Sequence, residues 1–147
     1  MKTAYIVKAY RTAVGKAPKG VFRFKRPDEL AAETIQFMMD ELPEFDKTRI
    51  DDVMVGNAMP EAEQGLNVAR LISLMGLKVE DVPGVTVNRY CASGLETIGM
   101  ATAKIQSGMA HCIIAGGAES MSFIPMGGYK PTPDYAVAKA GNEDYYW

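Results

Sequence analysis

One stretch limits what this chain can become. Pro83-Gly84 opens a run in which Val85, Val87 and Arg89 alternate with Thr86, Asn88 and Tyr90, and at Cys91 the alternation gives way to small residues at helical spacing. Alternation that starts at a turn dipeptide reads as a strand. Beyond it Leu95, Ile98, Thr102 and Ile105 fall on one helical face, Gly94, Gly99, Ala101 and Ala103 keep the other sides slim, and Gly108 stops the helix. A slim helix suits burial between layers. A second apolar run, Cys112-Ile113-Ile114-Ala115, follows and ends in Gly116-Gly117, so the whole is a strand, helix, strand unit. Such a crossover implies parallel strands joined in the right-handed sense.

Cys91 therefore falls at the carboxyl end of a strand and the amino end of a helix, where ligands gather in open α/β sheets. The unpaired N–H groups of a first helical turn carry partial positive charge, and a thiolate held there is favoured over the thiol. Strand-to-helix elbows present nucleophiles in this way. The competing description of any cysteine is a small buried hydrophobe. Cys112, which opens an apolar strand with no helix N-terminus beside it, fits that description and is expected in the core.

The rest of the chain repeats the pattern. Residues 3–9 read as a first strand, followed by a Gly/Pro/Lys-rich loop to Pro27. Asp28 looks like the N-cap of a helix whose apolar face is Ala31, Ile35, Met38 and Leu42, widened by Leu30 and Phe37 and closed by Pro43. Ile50 to Ala58 reads as a second strand. Asn67 caps a shorter helix with the stripe Val68, Leu71, Ile72 and Met75, ended by Gly76. Strand and helix alternating three times before a last strand signal an α/β fold around a mainly parallel sheet. From Ala118 the character changes to an irregular excursion that runs through Pro125-Met126-Gly127-Gly128 to Trp147. The expected division is 1–118 for the α/β domain and 119–147 for the start of an inserted loop domain.

Composition excludes several classes. A length of 147 residues allows one domain with a real core, and a net charge of −2 argues against a nucleic-acid partner. No apolar run approaches a membrane span. Two cysteines in elements expected to be buried do not make a secreted disulfide framework, so a reducing, cytoplasmic setting is expected. The first 27 residues hold eight Lys or Arg and no Asp or Glu, but a strand beginning near residue 3 is not a transit peptide. Lys16, Lys19, Arg23, Lys25 and Arg26 read as a solvated basic loop in preference to a phosphate site. Glu61 and Glu63 are close enough for acid/base work, yet on a loop they read as solvated. The only histidine, His111, stands at the start of a strand, at the opposite end from Cys91, which argues against a His–Cys pair. No metal-binding cluster of Cys and His is present in the sequence.

Around Cys91 the sequence resembles the thiolases. Their acyl-enzyme cysteine lies in a stretch that Val87, Asn88, Cys91, Ala92, Ser93, Gly94, Leu95, Thr97, Ile98 and Ile105 all fit. Arg11-Thr12 with Gly15, Asn67-Val68-Ala69-Arg70, and Gly116 to Ser122 look like further thiolase motifs in thiolase order. The resemblance implies one half of a two-half fold, a five-stranded mixed sheet with helices on both faces. Strands one to four would be present here in the order 3-2-1-4-5, with the strand at 84–89 on an edge that pairs with its twin across a dimer axis, giving a homodimer or homotetramer.

The implied reaction is acyl transfer between 3-ketoacyl-CoA and coenzyme A, with Cys91 as nucleophile, CoA as a substrate and no tightly bound cofactor. The Cys91 N–H would help hold an oxyanion. Pro125-Met126-Gly127-Gly128 leans toward the degradative 3-ketoacyl-CoA type. The histidine, second cysteine and water-holding asparagine that complete a thiolase site come from the second half and have no match here, so the chain alone is expected to be inactive. The CoA-binding residues are not assigned. Two alternatives share the fold: a decarboxylating ketoacyl-synthase-like enzyme, against which Asn88-Arg89 speaks, and a non-catalytic dimerisation module.

Overall fold

The computed structural model describes residues 2–130. Helix α1 (Pro27–Asp40) is followed by strand β1 (Asp52–Gly56), helix α2 (Val68–Leu77), strand β2 (Gly84–Val87), helix α3 (Ser93–Ser107) and strand β3 (Ile113–Gly117). The strands form one parallel sheet in the order β2-β1-β3, with Val55 opposite both Thr86 and Gly116. β1 is central and buried along its whole length.

The two-residue period of β1 sorts the layers. Val53 and Val55 join a core with Ile35 and Met39 of α1 and Val68, Ile72 and Leu77 of α2. Each such side chain, fully buried, contributes about 1.5–3 kcal/mol by its transfer out of water. Asp52 and Gly56 face the other way, onto α3, where Lys104 Nζ lies 2.8 Å from Asp52 Oδ2. Helices thus cover both faces of the sheet, and the α/β class expected from the sequence is the one observed.

The first expected strand is absent. Residues 3–9 pair with no strand, and Tyr5, Ile6 and Val7 are 78%, 80% and 80% exposed. Among the described residues the one backbone bond beside this segment is Lys2 N–H to Gln106 O at 3.3 Å. The reason lies in the register: Val53 pairs directly with Ile114, so β1 and β3 leave no position between them for the strand that the order 3-2-1-4-5 would insert. A doubly apolar run such as Ala4-Tyr5-Ile6-Val7 needs ladder partners and cover on both faces. Among the described residues the sheet therefore has three strands where four were expected, with β2 on an edge.

Helix details also differ. Asp28 is not the N-cap of α1: the cap is Arg26, with Pro27 at the first position, where a missing N–H costs nothing. The Asp28 carboxylate instead accepts from the Arg26 guanidinium at 2.8 Å and from Glu29 N–H at 2.9 Å. The expected face of α1 does meet the core, Ile35 buried and Ala31, Met38 and Leu42 half-buried against it, but Ala32 and Met39 are buried more deeply and Phe37 lies outside. Gly76 lies inside α2, where a Cβ would come within 3.0 Å of Ile35, and α2 ends at Lys78 in the left-handed region (φ 59°). Asn67 makes no cap bond; its amide donates to Gly84 O at 2.7 Å and its oxygen accepts from the Thr86 hydroxyl at 2.8 Å, tying α2 to β2.

The largest inversion is in α3. Its buried residues are Ser93, Thr97 and Ala101, whereas Leu95 and Ile98 of the apolar stripe are exposed. The small face wins because only it can approach the sheet closely; the bulky stripe is left unpartnered among the described residues.

Candidate active site

The turn from β2 into α3 is a closed hydrogen-bonded elbow. Tyr90 adopts φ 49°, a left-handed conformation uncommon outside glycine, which reverses the chain. Asn88 Oδ1 accepts Tyr90 N–H at 2.9 Å, and Ser93 Oγ accepts Arg89 N–H at 2.8 Å while donating to Tyr90 O at 2.6 Å. Ala92 N–H to Arg89 O and Ser93 N–H to Tyr90 O complete the turn at 3.0 and 3.1 Å. Cys91, at its tip, is exposed and lies just ahead of the Ala92 cap. Among the described residues the N–H groups of Cys91, Gly94 and Leu95 meet no acceptor, so donors at the start of α3 stay free just beyond the cysteine in the chain.

Glycine contacts bring this helix end onto the sheet. A Cβ on Gly117 would lie 3.2 Å from Gly94 Cα, and Thr97 Oγ1 stands 2.9 Å from Gly116 O. Gly116-Gly117 thus serves close packing. Cys91 consequently sits beyond the carboxyl ends of the strands, as its place in the sequence predicted.

Beside the elbow runs the loop after β1. Asn88 Nδ2 donates to Ala58 O at 3.0 Å. The Glu119 carboxylate accepts Ala58 N–H at 2.6 Å, Asn57 Nδ2 at 3.2 Å, and Gln64 Nε2; Gln64 Oε1 accepts Ser120 N–H at 2.9 Å. Sequence reasoning missed this network. Its only signal was the polar Glu119 at the end of an apolar strand.

The other candidate residues stand elsewhere. Glu61 Oε2 accepts Tyr129 N–H at 2.8 Å, a tie to the following loop, and Glu63 keeps one enclosed oxygen without a partner. His111 lies just before β3, at the opposite end of the sheet from Cys91, with its N–H on Asp51 Oδ2 at 2.6 Å. Cys112 beside it is half-buried; burial, then the Asp51 carboxylate, pushes its thiol upward. Two concavities, of about 240 and 170 Å³, are lined by other residues, and Cys91 is exposed. Among the described residues no cluster of His, Cys, Asp or Glu could hold a metal, and no helix is long and apolar enough to cross a membrane.

These features define a class: an α/β protein that presents a cysteine at the carboxyl edge of a parallel sheet, on the tip of a strand-to-helix turn. Residues 4–145 match the family model described as the thiolase N-terminal domain. The chain is similar to a 3-ketoacyl-CoA thiolase of Bacillus subtilis (strain 168), 46% identical over 145 residues, covering 99% of this chain and 37% of the relative. It is also similar to a beta-ketoadipyl-CoA thiolase of Acinetobacter baylyi, 45% identical over 126 residues, covering 85% of this chain and 31% of the relative. In structure it resembles the acetyl-CoA acetyltransferase of Bacillus anthracis with a TM-score of 0.63 and 30% identity, covering 70% of this chain and 26% of that one. The chain belongs to the thiolase family, and it spans about a third of the length of the curated relatives it matches.

Proposed function

We propose that this chain is the nucleophile-bearing part of a thiolase, with Cys91 forming the acyl-enzyme. The observation that carries the reading is the exposed Cys91 thiol on a strained elbow that leads directly into α3, in a chain of this family. The Cys91 thiolate attacks the 3-keto carbonyl carbon of a 3-ketoacyl-CoA. The tetrahedral intermediate collapses with cleavage of the C2–C3 bond, the departing carbanion takes a proton to become acetyl-CoA, and the shortened acyl group stays on sulfur. The thiol of a second CoA then takes the acyl group, returning Cys91. The free N–H groups at the elbow are placed to hold the oxyanion as it forms. The reverse direction joins two acyl units by the same steps. Coenzyme A is a substrate here, and no tightly bound cofactor enters.

The proton-moving groups of the reaction belong to another part of the protein. His111 and Cys112 stand at the far end of the sheet and cannot serve, which supports the expectation that residues 1–147 alone do not turn over. The exposed Leu95 and Ile98 stripe supports packing of a second half against α3. Residues 1–118 would form the first α/β domain, and 119–147 the start of a loop domain over the site; 131–147 lie outside the described residues. β2, on its edge, would pair with a second copy to make a homodimer, in a cytoplasmic enzyme of fatty acid metabolism.

The test is intact mass after brief exposure to acetoacetyl-CoA and acid quench, followed by peptide mapping. One acetyl group on the peptide containing Cys91, absent from Cys91→Ala, is expected from the protein that carries both halves. A full-length protein that turns over while Cys91 stays unmodified would overturn the reading, and an unreactive Cys91 in a tight dimer would favour the non-catalytic module.

A further inference from the structure

Glu119 lies two residues beyond β3, yet its carboxylate is committed to the loop that follows β1. Among the described residues its three partners are donors with no cation among them: Ala58 N–H, Asn57 Nδ2 and Gln64 Nε2. Asn57 is itself 1% exposed and its amide also reaches Ala118 O at 2.8 Å, so the far side of the cluster cannot drift. Ala58, gripped at its N–H by Glu119, offers its carbonyl to Asn88 Nδ2, and the other end of the Asn88 amide accepts Tyr90 N–H. Tyr90 is the residue in the left-handed region, and such a conformation persists only when its surroundings hold it there. Cys91 comes next.

We infer that Glu119 is a positioning residue for Cys91, acting through Ala58 and Asn88 to hold the Tyr90 turn that presents the thiol to the start of α3. This rests on the reading of Cys91 as the nucleophile. Glu119 touches neither the sulfur nor the substrate path; it fixes the backbone on which the sulfur is mounted. The sign of its effect is distinctive. Removing a negative charge would by itself favour a thiolate and speed Cys91, whereas loss of the hold lets Tyr90 relax and displaces the backbone that carries the sulfur, which slows it.

The experiment is site-resolved alkylation of the 147-residue chain with iodoacetamide, Cys91 and Cys112 being followed as separate peptides in one reaction. Cys112, at the other end of the sheet, is the internal reference for folding. Glu119→Gln keeps the size of the side chain but turns one acceptor into a donor that faces donors. It is expected to slow Cys91 about five- to tenfold, the worth of one net hydrogen bond, with Cys112 unchanged. Asn88→Ala should slow Cys91 to a similar degree, and the double variant should be no slower than either, because both cut the same path.

A Cys91 rate unchanged or raised in Glu119→Gln overturns the inference, as do effects that multiply in the double variant. A joint rise of Cys91 and Cys112 makes Glu119 a support of the fold alone; in that case Asn88→Ala decides, and an unchanged Cys91 rate there overturns the path. If Cys91 of the unsubstituted chain reacts no faster than Cys112, the proposed nucleophile itself fails, and the positioning role with it.

Discussion

Gly56, the last residue of β1, is in backbone contact with Ser93, the first residue of α3: a Cβ at Gly56 would sit 2.3 Å from the Ser93 carbonyl carbon and 2.5 Å from Gly94 N. The neighbours are main chain, so neither can swing away. Gly56→Ala therefore has to lift the start of α3 off the sheet, at a cost of about 1–3 kcal/mol or somewhat more. Gly99, in the same helix, has no described atom within 4 Å of its Cβ position, and Gly99→Ala should stabilise by about 0.5–1 kcal/mol through helix propensity. Urea unfolding of the two variants, expected to move in opposite directions, checks this; equal midpoints would mean that α3 does not rest on Gly56.

Tyr90 stores strain at the elbow, since a non-glycine residue at φ 49° costs roughly 1–3 kcal/mol. Its side chain is exposed and brings little packing in return. Tyr90→Gly relieves the strain but adds freedom to the unfolded chain, so stability should change by less than about 1 kcal/mol. Tyr90→Val, β-branched and poorly suited to the left-handed region, should cost about 1–2 kcal/mol relative to the glycine variant. Denaturant midpoints measure both, and a valine variant as stable as the glycine one would show that the turn is extended in solution.

How much of this was legible beforehand divides along physical lines. The strand-turn-helix at Cys91 was readable because local signals agreed there: the Pro83-Gly84 turn, the two-residue alternation and the small residues after the cysteine. The burial of β1 was readable from its apolar run. Residues 3–9 carried an equally good strand pattern, but pairing is a long-range matter decided by the Val53–Ile114 register, which no local pattern encodes. In α3 the bulky stripe misled because distance of approach, set by Gly56 and Gly117, outweighed hydrophobicity in choosing the packed face. Asn67 had the right type for a cap and was taken instead by Gly84 and Thr86, seventeen or more residues away along the chain. The Glu119 network joins residues that only the folded sheet brings together.

Asp51 gives the fold a pH-dependent tie. Its carboxylate is held below its ordinary value of 3.8 by the N–H groups of His111 and Cys112, at 2.6 and 3.0 Å. A carboxylate lowered in the folded state contributes stability that is fully present above 3.8 and is lost as pH falls through its lowered folded value. Asp51→Asn should therefore be less stable than the unsubstituted chain at neutral pH. Because Asp51 is exposed, the difference should stay below about 1 kcal/mol. The gap should close on acidification to below that folded value. Urea midpoints against pH for the two chains test the sign, and a gap that widens toward acid would refute it.

The two cysteines should part company toward a thiol reagent for reasons of place. Cys112 sits half-buried at the amino end of β3, where burial first and the Asp51 carboxylate second push its thiol above the ordinary value of 9.0. At pH 8 it is overwhelmingly the protonated, unreactive form, and its sulfur is partly shielded as well. Cys91 stands exposed at the tip of the elbow, just ahead of α3. Iodoacetamide at pH 8 should therefore label the exposed Cys91 at least about tenfold faster than Cys112, whose sulfur is shielded and whose thiolate is disfavoured by burial. Asp51→Asn, which removes the second of the causes acting on Cys112, should raise the Cys112 rate modestly and leave Cys91 unmoved, since the whole length of the sheet separates them. Mass-resolved labelling of the two peptides gives both rates at once. Equal rates in the unsubstituted chain would leave Cys91 no advantage from its place at the elbow and would overturn its reading as the nucleophile.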